Sequence, residues 1–322
     1  MRPDFREKLQ ACLGGPWPEP GPLNAVTIES LQQDGYKLEK VRYDVEPGES
    51  VAAYVLIPDG ASAAKRMPGI CVWHQHNGAY DIGMTEPAGL KGSKMHYTGV
   101  ALAREGYVVV CPDAAGFGER NSAKLTPDGK PDPAGKLKGG QLERFLFLRY
   151  VVAGKCLAWK NILDMRRAVD YISSRPEVQA DKLGCYGHSM GSTHTWLVGP
   201  WEPRLKALVG NCCLPTYAAI HRVELLHCFP NFIPGLYEFG DTPDIAALIA
   251  PRALHLNLGE TDGGSPIEEA KQGIETIRRA YEAMHAEDNF TSYIEAGTGH
   301  VLSDEMWRRT KATFAKHLRG EA

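Results

Sequence analysis

The chain contains no apolar run approaching the length of a membrane span. Its opening, Met1-Arg2-Pro3-Asp4-Phe5-Arg6-Glu7-Lys8, has none of the apolar core of a secretory signal. Both absences predict a cytoplasmic protein with no membrane partner. Net charge is also scarce. Thirty-six Lys and Arg stand against 39 Asp and Glu, a balance of −3 that gives no electrostatic case for binding nucleic acid or an anionic bilayer. Among the eight cysteines there is no C-x-x-C pair, and Cys212 and Cys213 are adjacent rather than spaced for a metal. Neither a zinc site nor a disulfide framework is expected. Cys71, Cys111 and Cys185 fall in or beside apolar runs, where a thiol packs as a small hydrophobe. No internal repeat is visible, and nothing in the sequence indicates an oligomer.

At 322 residues, 43% of them hydrophobic and 23% charged, the chain has the composition of a soluble globular protein large enough for one big domain. Residues 25 to 57 read as antiparallel strands: Tyr36 to Tyr43 alternates, and Val51 to Ile57 follows a Pro47-Gly48 turn. Ile70 to Trp73 and Tyr107 to Cys111 are continuous apolar runs, as in strands covered on both faces, and Gly99 to Glu105 supplies a crossover helix between them. Helix and strand signals then alternate. Ile162, Met165, Val169 and Ile172 have helical spacing; strands follow at Lys182 to Tyr186, Leu205 to Gly210, Ala253 to Leu258 and Thr291 to Glu295. Ile267, Ala270, Ile274, Ile277, Tyr281 and Met284 form one amphipathic stripe, and Trp307, Thr310, Phe314 and Leu318 another. This rhythm predicts a mostly parallel central sheet with an antiparallel N-terminal edge and helices on both faces. Two segments break it. One lies near 119–157, the other, long and aromatic, near 211–247. Each is read either as a lid or pocket wall or as a surface excursion.

Gly187-His188-Ser189-Met190-Gly191 sits between an apolar strand and a helix start. A G-x-S-x-G turn in that setting holds a strained serine above the sheet, with the next helix N-terminus aimed at a developing oxyanion. Ser189 is the candidate nucleophile. It needs a base, and the base an orienting acid, in the chain order Ser, Asp or Glu, His. Asp262, in Gly259-Glu260-Thr261-Asp262-Gly263 after a buried strand, is the candidate acid. Glu260 is its rival, and Asp241 and Asp244 are weaker choices. Asp262 also fits a role that only organises an Asp-Gly turn. His300, in a glycine-rich loop between the last strand and last helix, is the candidate base. His255, inside a strand, is read as a core residue.

The oxyanion requires two backbone N–H donors. Met190, following the nucleophile, supplies one. The loop His74-Gln75-His76-Asn77-Gly78 supplies the other, from His76 or Gln75. A metal reading of His74-x-His76 finds no third ligand at a convincing spacing. The aromatic 211–247 segment places His227, Phe229, Phe232 and Tyr237 as candidate substrate-wall residues.

With these residues placed, the chain resembles the α/β-hydrolase superfamily, and within it the dienelactone-hydrolase and acetyl-xylan-esterase-like bacterial branch. The features that carry the resemblance are Pro112 to Arg120 after a strand, Ser174 to Val178 before the elbow strand, His227 to Gly235, and Ile249-Ala250-Pro251-Arg252. The resemblance implies one α/β-hydrolase domain over 1–322 with an N-terminal extension at 1–25. It also implies a Ser-His-Asp triad, no cofactor, and cleavage of a small or medium carboxylic ester through an acyl-enzyme. Dienelactone hydrolases proper use a cysteine nucleophile, whereas Ser189 stands here, so dienelactone is not the expected substrate. Three rivals share or lose the same machinery: a peptidase or amidase, a C–C bond hydrolase, and a non-catalytic binding protein. Fold alone does not separate them.

Overall fold

The structure, a computed structural model, describes residues 3–122 and 135–321. Residues 123–134 of the expected 119–157 insertion therefore lie outside the described residues. Nine strands form one sheet: β1 (Val26–Gln33), β2 (Tyr36–Glu46), β3 (Glu49–Pro58), β4 (Met67–Trp73), β5 (Val108–Pro112), β6 (Val178–His188), β7 (Leu205–Asn211), β8 (Ala253–Gly259) and β9 (Phe290–Glu295). Their order is β1-β2-β3-β5-β4-β6-β7-β8-β9. β1, β2 and β3 pair antiparallel, β3 runs antiparallel to β5, and every pairing from β5 through β4 to β9 is parallel. This is the α/β-hydrolase fold, a mostly parallel sheet with an antiparallel edge.

The alternation of side chains explains why the central strands are apolar throughout. Cys71, Trp73, Val108 and Val110 face one core, while Ile70, Val72, Val109 and Cys111 face the other. The first core is covered by α1 (Phe5–Leu13), and the second by α2 (Thr98–Arg104). α3 (Gly139–Val152) packs on a small satellite cluster of Ala115, Leu142, Leu146 and Leu157. α4 (Leu157–Ser174), α5 (Met190–Val198), α7 (Thr242–Ala247) and α8 (Ile267–Glu282) join α1 on the first core, with the short α6 (Tyr217–Val223) beside them. α9 (Asp304–Phe314) brings Phe314 to the second, its start capped by Ser303, whose hydroxyl accepts from the Met306 N–H.

Sequence periodicity did not mark four of these helices, α1, α3, α6 and α7. α1 lies in the stretch read as an N-terminal extension, yet Phe5, Leu9 and Leu13 are fully buried. Trp17 follows it, stacks on Trp159 of α4, and donates its indole N–H to the Trp159 carbonyl at 2.8 Å. α6 and α7 lie within 211–247. Asp241 and Asp244, weak candidates for a catalytic acid, form the reciprocal capping box of α7 instead.

The chain passes from β4 through α2 to β5 on one side of the sheet, and from β6 through α5 to β7 on the other. The carboxyl ends of β4 and β6 are therefore a topological switch point, where open α/β sheets leave a crevice. Among the described residues no helix is long and apolar enough to cross a membrane.

Candidate active site

Ser189 caps β6 with φ 59 and ψ −121, a strained backbone for a residue with a side chain. The turn is tight enough to dictate its neighbours. A Cβ on Gly187 would run into the Gly191 carbonyl, and one on Gly191 into the Trp73 carbonyl at the end of β4. The glycines of the motif are thus required by contact. The Ser189 N–H donates to the Asn211 carbonyl of β7 at 2.8 Å, fixing the elbow to the adjacent strand end.

The next strand ends deliver the partners. Beyond β8, Asp262 is buried, its Oδ1 accepting from the Gly264 N–H at 2.8 Å and its Oδ2 meeting His300 Nδ1 at 2.8 Å. The His300 side chain is 40% exposed, whereas the Asp262 side chain is 1% exposed. A buried acid on Nδ1 leaves Nε2 as the free nitrogen of the pair. Glu260 does something else, accepting from the Gly297 N–H to hold the base of the histidine loop. Gly259 lets that loop close: a Cβ there would strike the Gly299 carbonyl. Asn211 also donates to His188 Nδ1 at 2.7 Å and to the Val301 carbonyl at 3.2 Å, so one amide ties elbow to loop.

Two further imidazoles lie near His300. His188 has its ring centre 5.0 Å from that of His300 and 4.5 Å from that of His96. Burial drives His188 well below the ordinary histidine range, and lowers His96 too. His300 therefore rests on neutral rings.

Met190 begins α5, so its N–H is an unpartnered helix-start donor beside Ser189. In the loop after β4, His74 is buried, with Nδ1 on the Gln75 carbonyl at 2.8 Å and Nε2 accepting from the Ala114 N–H at 3.0 Å. Both nitrogens are occupied and burial lowers its pKa to about 4, so it anchors the loop rather than offering a metal ligand. Gln75 donates to Glu86 Oε2 at 2.8 Å. His76 accepts the Gly78 N–H on Nδ1 at 3.0 Å, which puts its own hydrogen on Nε2, directed at Glu143 Oε2 at 2.9 Å.

A cavity of about 570 Å³ is lined by Ser189, Asp262 and His300 together with His76, Tyr80, Glu143, Leu225, His227 and Phe229, among others. Two of the expected wall residues, His227 and Phe229, thus line the same cavity as Ser189, Asp262 and His300. Phe232 and Tyr237 instead line a separate cavity of about 340 Å³ with Phe147, Tyr217 and His221. The cause is local. Asn231, fully buried, accepts from Thr193 Oγ1 of α5 at 3.0 Å and donates to His227 Nδ1 at 2.7 Å, and residues beyond it turn away. Burial lowers the His227 pKa to about 4.

Sequence reasoning missed Asn231, Tyr80 and Glu143. Glu143 carries a faint signal, a charge beside the buried pair Leu142 and Leu146 of α3; Tyr80 carries none. Cys212, Asp262 and His300 form the only set of potential metal-ligating atoms among the described residues. Burial pushes the Cys212 thiol up to about 12, and its Sγ lies 3.0 Å from the Val301 carbonyl, an arrangement that suits an acid–base pair better than a cation.

The chain is 28% identical over 290 residues to a Bacillus subtilis (strain 168) protein that carries the name "Putative hydrolase YtaP", covering 89% of this chain and 88% of that one. A glucuronoyl esterase from Solibacter usitatus superposes with a TM-score of 0.66 at 16% identity, covering 97% of this chain and 91% of its own. An acetyl xylan esterase from Thermoanaerobacterium sp. JW/SL YS485 does so with a TM-score of 0.60 at 15% identity, covering 98% and 93%. These two likenesses establish the fold. Residues 4–297 match the model of the Abhydrolase family, and the chain belongs to that family.

Proposed function

We propose that the protein is a serine hydrolase that cleaves carboxylic esters of small or medium molecules through an acyl-enzyme. The observation that carries this reading is the gathering of Ser189, Asp262 and His300 on one cavity, with Asp262 holding the Nδ1 side of the imidazole. Nε2 of His300 takes the Ser189 hydroxyl proton as the oxygen attacks the ester carbonyl. The buried Asp262 carboxylate fixes the tautomer and stabilises the imidazolium that forms. The Met190 N–H and one N–H of the 74–78 loop receive the oxyanion, the second donor being His76 or Gln75. His300 then returns its proton to the departing alcohol, and water enters by the same steps reversed. No cofactor is needed. That the structural neighbours named above are esterases supports ester over amide or C–C bond cleavage.

The test is a fluorophosphonate probe with mass-spectrometric mapping, beside a panel of p-nitrophenyl esters, peptides and vinylogous diketones. Labelling at Ser189, ester turnover, and a loss on the order of 10⁴-fold or more in Ser189→Ala are expected. Labelling at a cysteine, or turnover confined to peptides or diketones, overturns the reading.

A further inference from the structure

The segment around α3 was read from sequence either as a lid or pocket wall or as a surface excursion, and its Glu143 lines the cavity that holds Ser189, Asp262 and His300. Glu143 is 3% exposed. Its Oε2 receives two hydrogen bonds, from Tyr80 OH at 2.8 Å and His76 Nε2 at 2.9 Å. Its Oε1 is buried with no partner among the described residues. Leaving a buried carboxylate oxygen unpaired is costly, so such groups ask for a donor from outside the fold.

The charge of the wall sharpens that request. The described lining holds two carboxylates, Glu143 and Asp262, and neither lysine nor arginine. His76 cannot balance Glu143, because Nδ1 already accepts the Gly78 N–H and the ring is neutral. His227 is neutral in the same way, accepting on Nδ1 from Asn231 and from the Cys228 N–H. Asp262 is engaged by His300 Nδ1, and among the described residues Glu143 meets only the hydrogen-bond donors Tyr80 OH and His76 Nε2. Burial also keeps the Tyr80 phenol protonated, so it spends its hydrogen on Glu143.

We propose that Glu143 is a specificity-determining residue, which accepts a hydrogen bond from a hydroxyl or ammonium on the ester and repels esters bearing a carboxylate. The inference rests on the esterase reading above and names the substrate class that the site takes. It is distinct from a structural role, in which Glu143 only steadies His76 and would slow all esters alike. A like charge in a partly desolvated cavity is resisted far more than in water.

The experiment compares kcat/KM of wild type and Glu143→Gln on phenyl acetate and its para-hydroxymethyl, para-aminomethyl and para-carboxy derivatives. Methyl benzoate and monomethyl terephthalate provide the same contrast on the acyl side. Glutamine keeps the volume and an acceptor for Tyr80 and His76. Taking the ratio of variant to wild type for each ester cancels leaving-group chemistry. Relative to phenyl acetate, carboxylate esters should gain about tenfold or more in the variant, while hydroxymethyl and aminomethyl esters lose. An ammonium preference should also weaken with added salt, and a hydroxyl preference should not. As a second measurement on wild type alone, para-carboxyphenylboronic acid should inhibit at least about tenfold less than phenylboronic acid. If the variant scales every ester equally, or the two boronic acids inhibit alike, the proposal is overturned while the esterase reading stands. If neutral esters are not cleaved at all, the esterase reading falls first and this one with it.

Discussion

At the scale of single residues, the acid is the sharpest discriminator. Asp262 meets His300 Nδ1, whereas Glu260 takes a backbone N–H of the loop below. Asp262→Asn should cut kcat by about 10⁴-fold by turning the imidazole to the wrong tautomer. Glu260→Gln should stay within about tenfold, since it keeps an acceptor for Gly297. Steady-state rates on one neutral ester check both, and a reversed ranking would move the acid to Glu260. Gly259 offers a different reading of the same loop. Gly259→Ala should displace the His300 loop, lowering kcat and melting temperature together, because the added methyl meets the Gly299 carbonyl. Ser189, Asp262 and His300 were legible in the sequence because each follows a strand in a glycine-rich turn, which local pattern encodes. Glu143 was not, because nothing in a helix sequence says which cavity a buried charge will face.

At the scale of elements, the strands and the mostly parallel character of the sheet were legible in apolar runs and the turns between them, while the strand order came from the structure. The course of the 211–247 segment was not legible, since it is set by side-chain hydrogen bonds of Asn231, Tyr217, Asp241 and Thr242. Asn231 joins α5 through Thr193 and joins His227, and the chain turns away beyond it. That separates Phe229 and Phe232, three residues apart in sequence, onto different cavities. Phe229→Ala should alter the ratio of kcat/KM between short and longer acyl esters, because each methylene in an apolar pocket is worth about 1–3 kcal/mol. Phe232→Ala and Tyr237→Ala should leave that ratio within error. An equal shift in all three would show that the two cavities act as one. α1 was invisible to periodicity because nine residues give too few turns to establish a stripe. Yet Leu9 is fully buried, and Leu9→Ala should cost about 2–5 kcal/mol in a urea melt with kcat unchanged.

For the molecule as a whole, one contribution to stability against acid comes from Glu49 in a buried ion cluster, where burial shifts the neighbouring Asp164 the other way, upward. Arg120 reaches Glu49 at 2.5 Å and Asp164 at 2.7 Å, and Lys160 reaches Glu49 at 2.7 Å and Asp164 at 3.0 Å. Burial alone would raise the Glu49 carboxyl, but Arg120 and Lys160 outweigh it and lower its pKa from 4.5 to about 2. A folded value below the unfolded one means this stabilisation is complete above pH 4.5 and is lost as pH falls toward about 2. Glu49→Gln should flatten that limb of a melting-temperature profile while lowering the plateau near neutrality; an unchanged acid limb would assign the loss to other carboxylates.

Asn231 has a consequence for how substrate arrives. The segment that walls the cavity is hydrogen-bonded through Asn231 to Thr193 of α5, the helix that follows Ser189, and so tied it makes a window frame rather than a shutter. Enzymes whose mouths open only on contact with an oil droplet show a jump in rate where the ester exceeds its solubility. Here the rate should rise smoothly through that limit and level off, as expected of an entrance whose frame is already set.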